Sequence, residues 1–147
     1  MKIGFASDHR GYKLKKQLID ELQEEYEIVD YGTSSEKSTD YPDYAFLLGE
    51  NVSNKKVDFG VAICGSGIGI SIACNKVKGV RCAKVDFIKE AIVTRKDNDS
   101  NIVAISGEMN FERAVRILEE FINTNFSGLE RHIKRIKQID EYEKKNK

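Results

Sequence analysis

No sign of charge predominates in this chain: 24 lysines and arginines face 24 aspartates and glutamates, for a formal net charge of zero. That balance excludes a global field that would recruit nucleic acid or an anionic membrane, so any anion site must be local. Three cysteines, at 64, 74 and 82, fit neither a complete disulfide framework nor a zinc-finger spacing. Cys74 and Cys82 read as small core residues. No apolar run approaches the length of a bilayer span, and Met1-Lys2-Ile3-Gly4 leads into a strand pattern without a secretory leader. A cytoplasmic protein with no membrane association is the expectation. There is no internal repeat, and no low-complexity stretch before the lysine-rich end.

The 147 residues suit one domain, residues 1–147, with a helical extension from about 128, and at this size folding buries about 70% of the unfolded surface. Short apolar blocks at Ile3–Ala6, Glu27–Asp30, Phe59–Ile63, Val80–Lys84 and Ile102–Ile105 read as strands. Between them the spacing turns helical: Leu14, Leu18, Ile19 and Leu22 share one face, Tyr44 to Val52 forms a second helix, and Phe111 to Phe126 a longer one. Strand and helix alternation predicts an α/β fold with a five-stranded parallel sheet. In such sheets a ligand binds outside the carboxyl ends of the strands. The residues to inspect are therefore Ser7-Asp8-His9, Tyr31-Gly32-Thr33, Cys64-Gly65-Ser66-Gly67, Asp86 and Ser106-Gly107. The one long irregular connection, Gly32 to the sole proline at 42, has the length of a functional loop.

The densest signal is Ile63-Cys64-Gly65-Ser66-Gly67-Ile68-Gly69-Ile70, a strand ending in cysteine and a glycine turn before a helix. Glycine lets backbone approach a ligand, and the first helical turn leaves N–H groups free for negative charge. A thiol at that positive end loses its proton more easily. Base and anion hole together suit proton removal alpha to a carbonyl. The turn is G-x-G-x-G, without the third glycine of a dinucleotide fingerprint and without a Walker lysine. A packing turn with no ligand is the plain alternative. Asp8-His9 offers a carboxylate and an imidazole at the crevice, although Asp8 equally suits an N-cap for a helix starting near Gly11. Arg131 and Arg135 lie one helical turn apart and can hold a phosphate bidentately, or merely be solvated; His132 between them reads as a surface or packing residue. Tyr41 and Asp43 line a sugar site or cap a helix, and Thr94–Asn101 has the polar density of a turn, in which Asn98 is a possible donor.

Taken in order, Ser7-Asp8-His9-x-Gly11, Asp40-Tyr41-Pro42-Asp43-Tyr44, the cysteine-glycine block through Lys76, Gly79-Val80-Arg81, Asn98-Asp99-x-Asn101 and Arg131-His132-x-x-Arg135 resemble the ribose-5-phosphate isomerase B family, which includes the galactose-6-phosphate isomerase subunits. The resemblance implies a three-layer Rossmann-like fold and a homodimer, or dimer of dimers, whose sites are shared between subunits through the C-terminal helix. It implies an aldose–ketose isomerase of a phosphorylated sugar working through a cis-enediolate, with no cofactor and no metal. Cys64 is then the base, and Gly65, Ser66, Gly67 and Gly69 form the anion hole. Asp8 handles the sugar hydroxyls, His9 with Arg131 and Arg135 the phosphate, and Tyr41 and Asn98 the rest of the sugar.

Two positions depart from the family pattern. Asp97 stands where a ring-opening histidine is common, and Glu108 falls near the position of a phosphate-binding arginine. An ionised carboxylate does not readily both donate and remove a proton, and it repels phosphate. Ribose 5-phosphate is the leading substrate expectation, with a tetrose or hexose phosphate next. A sugar-phosphate sensor needs no thiolate, and a nucleic-acid role for the last helix is opposed by Asp140, Glu141 and Glu143.

Overall fold

The computed structural model describes residues 1–146. Five strands and six helices occur among them: β1 (Lys2–Ser7), α1 (Tyr12–Leu22), β2 (Glu27–Asp30), α2 (Tyr41–Ser53), β3 (Phe59–Cys64), α3 (Ile68–Cys74), β4 (Cys82–Lys84), α4 (Ile88–Asn98), β5 (Ile102–Ser106), α5 (Phe111–Asn123) and α6 (Glu130–Lys145). The strands form one all-parallel sheet in the order β2-β1-β3-β5-β4. Three layers result, because the two faces of the sheet are covered by different helices.

Side chains alternate across a strand, and here the alternation is also one of size. Ile3, Phe5, Val61, Ile63, Val103 and Ile105 pack with α1 and α5. The intervening Ala6, Ala62, Cys64 and Ala104 meet α2 and α3. Small residues on that second face let the helices sit close: a Cβ added to Gly4 would lie 2.9 Å from Leu48 Cδ1. Cys64 thus belongs to the tightly packed α2/α3 side, and the residue is 4% exposed.

Several boundaries differ from the sequence expectation for local reasons. β4 is shorter than Val80–Lys84, since Val80 is used in a turn, its N–H donating to the Val77 carbonyl. α5 stops at Asn123 rather than Phe126, with extended backbone at Thr124 whose carbonyl accepts from Arg95 Nε. Thr94–Asn98 is not a turn but the last helical turn of α4, which Asp99 closes in the left-handed conformation at φ 47°.

Register sets where loops meet. Ser7 pairs with Ile63, and Cys64 with Ser106, so β1, β3 and β5 end level with one another. From β1 the chain crosses outward to β2 and then back past β1 to β3, so the loops after β1 and β3 diverge and open a crevice.

Candidate active site

The crevice gathers three loops. From β3 comes the glycine turn, in which the N–H of Gly67 donates to Cys64 Sγ at 3.2 Å. Gly67 has φ 79°, a conformation natural to glycine, and it forms the N-cap of α3. A Cβ there would press on the backbone of Ile105 at 2.8 Å. Ser66 is exposed, and its Oγ accepts from the N–H of Ile68 at 3.1 Å. The turn is braced from β5, where Ser106 Oγ donates to the Gly65 carbonyl and the N–H of Gly107 donates to that of Cys64.

The loop after β1 lies alongside. Asp8 is buried, and one of its carboxylate oxygens, Oδ1, accepts from the N–H groups of Arg10 and Gly11 at 3.0 and 3.1 Å. It is therefore not the N-cap of α1: that position is Gly11, and no side chain caps it. Asp8 instead closes a turn ahead of the helix and so holds its carboxylate at the strand end. His9 Nδ1 accepts from the N–H of Thr39 at 3.2 Å. In the neutral ring the hydrogen must then sit on Nε2, which becomes the donor edge. The long Gly32–Pro42 connection thus sets the His9 tautomer. Tyr41 opens α2, and its Oη would stand 2.8 Å from a Cβ on Gly69, so the missing side chain of Gly69 is the room the phenol occupies.

Asp8, His9, Tyr41, Cys64, Gly65, Ser66, Gly67 and Gly69 are brought together within one chain. Asp97, Asn98, Arg131 and Arg135 are not. Asp97 Oδ1 lies 3.6 Å from Nε2 of the buried His132, whose Nδ1 meets Ser127 Oγ at 2.8 Å. Asn98 Oδ1 accepts from Thr94 Oγ1 on its own helix. It lines a separate cavity of about 380 Å³ with Asn75, Arg81, Cys82 and Glu143. α6 is fastened along this edge of its own chain, Glu143 accepting from the N–H of Gly79 and Asp140 facing Arg81 at 3.6 Å. Arg131 and Arg135 are exposed on it and form no ion pair among the described residues.

Sequence reasoning missed Arg10. Its guanidinium overlies Gly65, and only its position directly after Asp8-His9 signalled it. Among the described residues no cluster of three or more metal-ligating side chains occurs, and no helix is long and apolar enough to cross a membrane.

A five-stranded parallel α/β sheet whose central strand ends in a thiol and a glycine turn defines a Rossmann-like protein. The ribose/galactose isomerase family model matches residues 3–139, and the chain belongs to that family. The structure of a Clostridium thermocellum ribose-5-phosphate isomerase B is 41% identical over the whole of both chains, with a TM-score of 0.97. That of the Mycoplasma genitalium ribose-5-phosphate isomerase B with bound ribulose 5-phosphate is 38% identical with a TM-score of 0.91, covering 97% of this chain and 96% of that one. Among curated relatives, the ribose-5-phosphate isomerase B of Escherichia coli is 36% identical over 98% of this chain and 97% of its own.

Proposed function

We propose that this protein interconverts an aldose and a ketose phosphate, with ribose 5-phosphate and ribulose 5-phosphate the leading pair, and that Cys64 is the base. The observation that carries the reading is the Gly67 N–H aimed at Cys64 Sγ inside a glycine turn that Asp8 and His9 flank. The names of the relatives support the substrate class.

In the proposed reaction the Cys64 thiolate takes the proton from C2 of the open-chain aldose. The C–H electron pair forms the C1–C2 double bond, and the carbonyl pair moves onto the C1 oxygen. N–H groups of the glycine turn, those of Gly65, Ser66 and Gly69, stabilise that oxyanion, while the Gly67 N–H stays on the sulfur. The Asp8 carboxylate passes the hydroxyl proton from O2 to O1, and the Cys64 thiol returns its proton to C1, giving the ketose. No electron leaves the substrate, so neither oxidant nor reductant is required.

His9 binds the phosphate through Nε2, and Arg131 and Arg135 come from a second copy of the chain. An apolar strip made by Ile68 and Ile72, 53% and 58% exposed and one turn apart on α3, adjoins the glycine turn and offers that copy a contact. Asp97, brought in by the same copy, stands at the sugar ring. The test is proton NMR in deuterated water with ribose 5-phosphate and with tetrose and hexose phosphates. Deuterium at the carbon alpha to the carbonyl, together with ketose formation, is expected for at least one sugar. No exchange with any of them would overturn the isomerase reading.

A further inference from the structure

We propose that Arg10 binds the anionic group of the ligand and that Glu108 is the counter-ion it gives up on binding. The inference rests on the isomerase reading for the identity of the ligand, a phosphorylated sugar, but the anion site itself is argued from geometry.

The guanidinium of Arg10 lies flat on the glycine turn: a Cβ at Gly65 would stand 2.5 Å from Cζ, 2.6 Å from Nη1 and 2.7 Å from Nε. Any other residue at 65 would push the cation out of the crevice. The backbone that launches it is fixed, since the Arg10 N–H is tied to the Asp8 carboxylate and Gly107 passes close against the Arg10 carbonyl. The cation therefore rests on the glycine turn and is carried by the same loop as His9. Its one ion pair among the described residues is with Glu108, at 3.9 Å, through side chains 60% and 82% exposed. A pair this long and wet is weak, whereas a phosphate accepts two parallel N–H bonds from a guanidinium. Phosphate thus displaces the carboxylate, which has open solvent to turn into. Glu108 comes from the loop after β5 and Arg10 from the loop after β1, so the two ends of the pair approach one point from opposite sides of Cys64.

The experiment is calorimetric titration of the full chain with inorganic phosphate, run beside steady-state kinetics. Arg10→Gln is expected to weaken phosphate binding by about 10-fold or more, the worth of a hydrogen bond to a charged group, and to raise KM with little change in kcat. Glu108→Gln is expected to tighten phosphate binding by a few fold, as removal of a competing carboxylate does. Arg10→Gln/Glu108→Arg, which delivers the guanidinium from the other loop, is expected to regain most of the loss. That recovery separates ligand binding from mere folding. Arg116→Gln, on the exposed side of α5, controls for net charge.

Unchanged phosphate affinity and KM in Arg10→Gln, or no phosphate binding by the wild type, would overturn the assignment even if sugars are isomerised. Arg10-dependent phosphate binding without turnover of any sugar would uphold it while removing the isomerase reading.

Discussion

The N–H of Gly67 donates to the sulfur of Cys64 with nitrogen and sulfur 3.2 Å apart, and residue 67 holds a left-handed backbone at φ 79°. The two positions are coupled through that one bond: the proposed base is held by the residue that bends the turn.

Two glycines of the turn are accordingly expected to fail differently when made alanine. Gly67→Ala forces φ 79° on a residue with a Cβ and drives that atom into the Ile105 backbone, so stability should fall by at least about 1–2 kcal/mol, read as a lower Tm at fixed protein concentration. Gly65→Ala meets first the tip of Arg10, a flexible side chain. It should fold nearly as well as the wild type and lose phosphate affinity instead.

Shared sites are tested by mixing inactive subunits. Cys64→Ala and Arg131→Ala/Arg135→Ala proteins, unfolded and refolded together, should recover about a quarter of the wild-type activity, because half of the randomly formed dimers are mixed and each has one intact site. Absence of recovery with heterodimers demonstrated by native mass spectrometry would contradict sharing.

At Asp97 the expectation concerns substrate form. An ionised carboxylate opens a furanose poorly, so Asp97→His should raise turnover of ribose 5-phosphate and leave a tetrose phosphate nearly unchanged. The same change removes the Asp97–His132 pair, so the Tm should be recorded beside the rates. Equal rates of wild type and variant on ribose 5-phosphate would assign ring opening to another group.

Cys82 lies beside Cys74, and its thiol is held well above the ordinary range, first by its hydrogen bond to the Cys74 side chain and then by burial and the Cys74 charge. The folded state therefore keeps a proton that the unfolded chain releases above about pH 8.5. The unfolded state binds fewer protons there, so stability is full below that pH and falls as pH rises beyond it. Cys82→Ala should flatten that alkaline decline in urea melts; an unchanged slope would contradict the linkage.

The strands, the glycine turn and the Asp8-His9 loop were legible in the sequence because each is marked by a short-range pattern: apolar blocks, glycine spacing, polar residues at strand ends. Sheet order was not, since β5 inserts between β3 and β4 by long-range packing that no local pattern encodes. Asp8 read equally as a cap or a site residue; its hydrogen bonds to Arg10 and Gly11 make it a turn former ahead of the helix. Arg10 was invisible because an arginine after a strand reads as solvated surface until Gly65 is seen beneath it. Asp97, Asn98, Arg131 and Arg135 were legible as a set only through the family pattern. Within one chain, α6 runs along the β4 edge by way of Asp140 and Glu143, and they stay apart from Cys64.

The most direct measurement follows hydrogen exchange at C2 of the aldose phosphate in deuterated water, by proton NMR, for wild type, Cys64→Ala and Cys64→Ser. Cys74→Ala, a buried thiol outside the turn, serves as the control and should cost about 1 kcal/mol of stability, with exchange retained. With Cys64 as the base, both Cys64 variants should exchange slower by roughly 10³-fold while inorganic phosphate binds within about twofold of wild type. Exchange at the wild-type rate in Cys64→Ala would contradict the central claim.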